Sequence, residues 1–124
     1  NSSQWAHDMD NAANKKFVAD FQKEFGRLPT LYAAQAYDVI MAMDAAVKAT
    51  GGKVSDKEAL TKAIAKAQFP SVRGNFRYAN NHFPVQNFYL RSIGKNAEGR
   101  VTNKTIRTVL ENYGDAYAAQ CKLK

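Results

Sequence analysis

Ser71-Val-Arg-Gly-Asn-Phe-Arg-Tyr-Ala-Asn-Asn-His-Phe-Pro-Val-Gln-Asn-Phe-Tyr-Leu90 joins a turn signal to two aromatic-rich segments. Phe76 and Tyr78 alternate with polar neighbours, which predicts a half-buried strand, and the same alternation predicts a second strand over residues 88–93. The polar loop between the strands is closed by Pro84. The stretch carries no evident catalytic set, so it indicates a binding scaffold.

Three helices are predicted before this stretch, over residues 11–25, 30–50 and 55–67, because each combines a capping residue with apolar residues at helical spacing. The predicted boundary residues are Asp10 or Asn11 with Gly26, Thr30 with Gly51, and the capping box Ser55 with Glu58. The residues predicted to face inward are Phe17, Val18, Phe21 and Phe25 in the first helix, Ala33, Ala36, Tyr37, Ile40, Met43 and Val47 in the second, and Leu60, Ala63, Ile64 and Ala67 in the third.

After the stretch, residues 94–103 are rich in Gly and Asn and predict an exposed loop. Alternation over residues 105–110 predicts a third strand antiparallel to the second, with a helix over 105–113 as the rival interpretation. A short helix is predicted over 115–121. Three helices and a small meander leave apolar surface uncovered, so we expect unmet hydrophobic faces.

The composition is that of a folded domain, with 45% hydrophobic and 23% charged residues among 124, and no apolar run is long enough to span a membrane. The formal charge is +7, but Lys and Arg are scattered, which favours a solvated surface over nucleic-acid binding. Cys121 is the single cysteine, so any disulfide partner lies outside the chain. Because the chain starts at Asn1 and shows no signal peptide, we expect a processed protein or a fragment.

The sequence shows no set of residues typical of a catalytic or metal site. His7 and His82 lie far apart and lack other ligands at metal spacing, so no metal site, cofactor or catalytic residue is predicted. His82 is expected to occupy a turn in which Asn side chains bond their own backbone. Asp38 and Asp44 are interpreted as surface or cap residues, because their spacing does not bring them together as an acid and base.

Tyr32 and Gln35 are the candidate ligand-binding residues, because they lie three apart in the first turn of the second predicted helix and so share one face. Tyr offers a flat ring and a hydroxyl, Gln offers a donor and an acceptor, and a helix N-terminus favours an anion. The alternative is that Tyr32 packs under the preceding loop and Gln35 is solvated.

Several segments, read in order, resemble the C-terminal third of type I periplasmic solute-binding proteins, the family that serves branched-chain amino-acid and aromatic-acid ABC importers. They are Asn11-Ala-Ala-Asn-Lys-Lys-Phe-Val-Ala-Asp-Phe21, Gly26-Arg-Leu-Pro-Thr-Leu-Tyr-Ala-Ala-Gln-Ala-Tyr-Asp38, Ser71-Val-Arg-Gly-Asn-Phe-Arg-Tyr78 and Asn81-His-Phe-Pro-Val-Gln86. The resemblance implies an α/β chain forming part of a two-lobed fold, with residues 1–70 in the first lobe and residues 71–124 in the second. It also implies a hinge crossing at Arg73 and Gly74.

The resemblance further implies function. It indicates a non-enzymatic, periplasmic component that binds an amino acid or a small, possibly aromatic, carboxylate and delivers it to an ABC permease in the inner membrane. Tyr32 matches a ligand-contacting position of the family, with Gln35 as a weaker companion. The chain is expected to be only the C-terminal fragment of such a receptor and to dimerise through exposed apolar faces.

A winged-helix nucleic-acid-binding domain is the alternative, because three helices followed by a hairpin on a basic chain share its outline. Such a domain needs exposed Arg, Asn or Gln on its recognition helix. The predicted helix 55–67 offers only lysines and alanines there, so no nucleic-acid partner is expected.

Overall fold

A computed structural model describes residues 1–122 as an α/β chain with three helices followed by antiparallel strands and a short helical turn, as predicted. The elements are β1 (Ser2–Ser3), α1 (Ala12–Phe25), α2 (Leu31–Ala49), α3 (Lys57–Ala65), β2 (Phe76–Tyr78), β3 (Pro84–Lys95), β4 (Val101–Tyr113) and a 3₁₀ turn (Ala118–Gln120). None of the helices in this described part is long and apolar enough to cross a membrane.

Strand β3 organises the sheet, because β1, β2 and β4 all pair with it in antiparallel register. The predicted third strand is therefore confirmed as β4, and the rival helix over 105–113 is wrong. The predicted loop over 94–103 is also wrong, because Gly94 pairs with Thr102 and the strands continue to a tight turn. In that turn Asn96 Oδ1 accepts from the backbone N–H groups of Glu98 and Arg100, at 3.1 and 2.9 Å.

The helix ends follow local capping chemistry. Asn11 caps α1 by accepting from Asn14 N, Gly26 ends that helix at φ 64°, and Thr30 caps α2 by accepting from Ala33 N, all as predicted. The predicted capping box of α3 is wrong. Asp56, one residue after Ser55, accepts from Ala59 N at 3.0 Å and takes the cap position, because its carboxylate reaches the free N–H directly.

The inward face of α2 differs from the prediction. Its buried residues are Ala34, Asp38, Ala42 and Ala46. Of the predicted stripe, Ile40 is 63% exposed, and Ala36 and Met43 also face outward. Small side chains let the α2 backbone approach its neighbours closely, which leaves the larger apolar residues outside. Likewise, Phe25 at the end of α1 is exposed, and the inward residues predicted for α3 are only half-buried.

The core cluster of the described residues lies where the N-terminal segment, α1, α2 and the turn after α3 meet. It consists of Trp5, Ala6, Met9, Phe17, Ala34 and Val72. Asn14, which is fully buried, joins the N-terminal segment to α1: its Oδ1 accepts from Trp5 Nε1 at 2.7 Å and its Nδ2 donates to the carbonyls of His7 and Met9. The core thus packs the N-terminal segment and the turn that leads into β2 against α1 and α2.

Candidate functional site

Asp38 is buried at the junction between α2 and the sheet, with 1% of its surface exposed. Its Oδ2 accepts from Ser71 Oγ at 2.6 Å and Arg73 Nε at 2.8 Å, and its Oδ1 accepts from Val72 N at 3.0 Å. The interpretation of Asp38 as a surface or cap residue is therefore wrong. A buried carboxylate is tolerated here because a guanidinium and two further donors satisfy it.

Arg73 extends this contact to the strands. Its Nη1 donates to Gln86 Oε1 at 2.9 Å, and its guanidinium carbon lies 3.9 Å from the centre of the Phe76 ring. The side chain is only 11% exposed. We call Asp38, Ser71, Val72, Arg73 and Gln86 the junction network, since together they join α2 to the turn before β2 and to β3.

Gly74 completes the turn that carries Arg73. Its backbone N–H donates to Ser71 O at 3.1 Å, and its φ is 78°, in the left-handed region that favours glycine. Arg73 and Gly74 therefore lie where the helical part of the chain enters the sheet. Their role as a hinge, and the division into lobes at residue 70, stay predictions.

Tyr32 and Gln35 lie at the start of α2, three residues apart, and their part in ligand binding stays a prediction. Tyr32 is 78% exposed and Gln35 is half-buried. Within residues 1–122, neither side chain takes part in a hydrogen bond. Tyr32 is thus not packed under the preceding loop, and its ring and hydroxyl are available at the helix N-terminus. The structure does not bring this pair into the junction network.

A cleft of about 480 Å³ opens beside the junction network, on the side of the C-terminal segment. Sequence reasoning missed it because its walls come from three segments that lie far apart in the sequence, and the signal on offer was the aromatic content of the last two strands. We call it the aromatic cleft; it is lined by Gln4, Phe83, Pro84, Gln86, Phe88, Tyr113, Gly114, Asp115, Ala116 and Tyr117.

Polar contacts of the 79–84 loop hold the C-terminal segment against the cleft. Asn81 Nδ2 donates to Asp115 Oδ2 at 2.7 Å, and Asn80 Nδ2 donates to Ala118 O at 2.8 Å. Asn81 Oδ1 also accepts from Phe83 N, and His82 has a φ of 60°, so the predicted turn at His82 is confirmed. Among the described residues, no group of three or more His, Cys, Asp or Glu side chains could hold a metal ion.

Comparison with known proteins gives consistent matches. Residues 1–100 match the family model described as periplasmic binding protein. Leu/Ile/Val-binding protein homolog 6 of Brucella abortus is 32% identical over 115 residues, which cover 90% of this chain and 29% of that protein.

Two solved structures extend the comparison. The solute-binding protein of an ABC transporter from R. palustris, in complex with benzoate, is 36% identical, with a TM-score of 0.87 over 98% of this chain and 32% of that one. A solute-binding protein from Rhodopseudomonas palustris BisB5, in complex with 3,4-dihydroxy benzoic acid, is 32% identical, with a TM-score of 0.77 over 86% of this chain and 29% of that one. The chain therefore spans about a third of the length of these relatives.

Proposed function

The chain belongs to the periplasmic binding protein family, and from that premise we propose that it is part of an extracytoplasmic solute-binding component of an ABC importer. Its fold is part of the type I periplasmic-binding-protein fold. The family and the fold contradict the alternative of a winged-helix nucleic-acid-binding domain. Family members are transport-related binding proteins, so we propose binding and delivery to a membrane permease rather than catalysis.

For the ligand we propose an amino acid or a small carboxylate, with an aromatic acid favoured. The observation that carries this proposal is the similarity to the benzoate complex, which extends over 98% of the chain at 36% identity. In such proteins a cleft closes about a hinge and excludes water, so few polar contacts suffice for affinity.

Tyr32 and Gln35 are proposed to contact this ligand. Tyr32 is exposed, and its ring can stack on an aromatic acid while its hydroxyl donates a hydrogen bond. The N-terminus of α2 contributes a partial positive charge, which favours a carboxylate. Arg73 and Gly74 are proposed to act as the hinge, because the junction network fixes one side of the turn and the positive φ of Gly74 permits its bend.

The experiment uses the complete protein that carries this chain. Native mass spectrometry of that protein as purified identifies a retained small molecule by its mass, and thermal shift assays with benzoate, 4-hydroxybenzoate, leucine and phenylalanine rank the classes. We expect benzoate or its hydroxylated form to raise the melting temperature most. Stabilisation by none of these compounds, with no retained small molecule, would contradict the proposal.

The role of Tyr32 is tested in the same protein. Tyr32→Ala is expected to weaken binding of the stabilising ligand roughly tenfold, because it removes a stacking surface and one hydrogen bond. Phe25→Ala removes another exposed aromatic ring, 59% exposed against 78% for Tyr32, and is the control, expected to leave affinity unchanged. Equal affinities for both variants would remove Tyr32 from the site.

Self-association of the isolated chain is a further prediction, because α2 presents Tyr32, Val39, Ile40 and Met43 to solvent. Sedimentation velocity is expected to show a dimer that the paired substitution Ile40→Lys and Met43→Lys disperses. Ile93→Lys, at an exposed position of the hairpin, is the control and leaves the dimer intact. A monomer at all concentrations would contradict this prediction.

A further inference from the structure

The aromatic cleft has the composition of a small-molecule site. Four aromatic side chains surround it, those of Phe83, Phe88, Tyr113 and Tyr117. The rings of Phe88 and Tyr113 pack edge to face with centres 5.9 Å apart. A cleft of about 480 Å³ is within the usual size range for small-molecule pockets.

Gln86 supplies an oriented donor in this cleft. The residue is 5% exposed, and its Oε1 accepts from Arg73 Nη1. A guanidinium can only donate, so the oxygen must face Arg73 and the amide nitrogen must face away. Within residues 1–122, Gln86 Nε2 has no acceptor, yet no buried side-chain nitrogen or oxygen lacks a partner. The nitrogen is therefore accessible, and Gln86 is one of the residues that line the cleft.

The junction network holds this amide in place from behind. Arg73 is fixed by Asp38, and Asp38 is fixed in turn by Ser71 and the backbone of Val72. A donor that is already oriented loses little entropy when a ligand binds. The nearby guanidinium also polarises the amide, which strengthens the N–H groups as donors.

Asp115 is the charged residue of the cleft wall. Its Oδ2 accepts from Asn81 Nδ2 and its Oδ1 accepts from Tyr117 N, so both oxygens already have donors. Gln86 Nε2 is then a polar atom of the lining that is oriented from behind and has no acceptor within residues 1–122.

We propose that the aromatic cleft binds an aromatic ring that carries a carbonyl oxygen, with the ring between the aromatic side chains and the oxygen accepting from Gln86 Nε2. The shared chemistry includes neutral amides and carboxylates. This site is separate from Tyr32 and Gln35, and it does not depend on the transport function proposed above.

The test is a titration of the ¹⁵N-labelled 124-residue chain, followed by ¹H–¹⁵N correlation spectra. The probes are benzamide and benzoate, each to about 10 mM, since ligands of this size bind with dissociation constants on the order of 1 mM. Either probe is expected to shift the Gln86 side-chain amide and the backbone N–H groups of Phe88 and Gly114. Toluene, which has no acceptor, is expected to bind about tenfold more weakly.

Variants separate the donor from the walls. Gln86→Glu keeps an acceptor for Arg73 but removes the donor, so it is expected to weaken binding at least tenfold. Tyr117→Ala removes an exposed wall that the core does not need, and is expected to weaken binding several-fold in a folded chain. Phe25→Ala, outside the cleft, is the control and leaves the shifts unchanged.

The proposal is overturned if neither probe shifts the cleft resonances, if the shifts cluster around Tyr32 instead, or if Gln86→Glu and Tyr117→Ala both bind as the unsubstituted chain does. Shifts at the cleft from benzamide alone identify a site for neutral ligands, and shifts from both probes identify tolerance of a carboxylate; each supports the proposal. A complete receptor that fails to bind aromatic acids would leave these spectra unaffected, so the two proposals fail separately.

Discussion

Asp38 and Asp8 each accept hydrogen bonds from a backbone N–H and a hydroxyl, but in different surroundings. Asp38 accepts from Val72 N and Ser71 Oγ in the buried junction network, and it also holds Arg73. Asp8 accepts from Thr105 N at 2.9 Å and from Thr105 Oγ1 at 2.8 Å, on the exposed side of the β3–β4 hairpin. The same two kinds of contact thus occur in buried and in exposed surroundings, and Asp38 differs further by its ion pair with Arg73.

The hairpin beyond the core extends this contrast. Strand β4 contains no fully buried residue along Val101–Tyr113, and Ile93 and Val101 are largely exposed. The outer hairpin is held by the backbone ladder and by exposed polar contacts such as Asn1 with Arg91. We infer that stability is concentrated in the junction and core, and that equal numbers of hydrogen bonds contribute less in the hairpin.

The largest expected effect comes from Asp38→Ala. The substitution leaves the Arg73 guanidinium buried without its counter-charge and removes the acceptor for Ser71 Oγ and Val72 N, so we expect a loss of about 3–5 kcal/mol in the free energy of unfolding. Asp8→Ala is the matched control and should cost about 1 kcal/mol or less. Urea unfolding followed by circular dichroism measures both, and equal losses would show that burial and the ion pair with Arg73 together do not separate the two sites.

Asn14→Ala tests the buried polar contact of the core. It leaves Trp5 Nε1 and the His7 carbonyl without these partners and removes one of the hydrogen bonds to the carbonyls of Ala6 and Met9, so we expect a loss of about 2–3 kcal/mol in the free energy of unfolding. Asn80→Ala removes an exposed amide that donates to Ala118 O and should cost about 0.5 kcal/mol. The same urea experiment applies. A larger loss for Asn80→Ala than for Asn14→Ala would reverse the proposed ranking.

Gly74→Ala separates backbone strain from packing. A Cβ at Gly74 would meet only Asn11 Nδ2, at 4.0 Å, so the cost of about 1–2 kcal/mol comes from the φ of 78°. Gly94→Ala is the control in the hairpin. Its Cβ would meet Lys104 Cδ at 3.9 Å and its φ lies outside the left-handed region, so stability should stay within about 0.5 kcal/mol. Thermal unfolding measures the stability of both variants. An unchanged stability for Gly74→Ala would contradict the expected strain and would mean that the turn relaxes to accept the Cβ.

Local signals predicted much of the fold. Asn11, Gly26 and Thr30 act within one helical turn of their own positions, so the bounds of α1 and α2 could be read from the sequence. The role of Asp38 could not be read from the sequence, because its partners lie 33 to 35 residues away and only the fold brings them together. A charged residue on a helix is usually solvated, and nothing adjacent to Asp38 indicated otherwise.

The prediction of the inward face of α2 was wrong for a related reason. A prediction from hydrophobic periodicity depends mostly on large apolar residues such as Ile40 and Met43. In the structure the close-packed face of α2 is instead formed by Ala34, Ala42 and Ala46, which contribute little to that pattern. The aromatic cleft was likewise invisible because Gln86 gains its role only through Arg73. The candidate Tyr32 was reached from helix position and the family resemblance, and its part in binding stays a prediction.

The smallest expected effect belongs to the exposed ion pair of Asp10 and Lys15. The hydrogen bond from Lys15, together with its charge, lowers the pKa of Asp10 below its ordinary value of 3.8, so the pair stabilises the fold above that value and loses its contribution as the pH falls through the lowered pKa. Because both side chains are largely exposed, water and salt screen the attraction. Unfolding midpoints between about pH 7 and about pH 3 should therefore hardly differ between Asp10→Asn and the unsubstituted chain. A clear difference that persists at high salt would mean that a surface pair contributes as a buried one does, against the ranking drawn from Asp38 and Asp8.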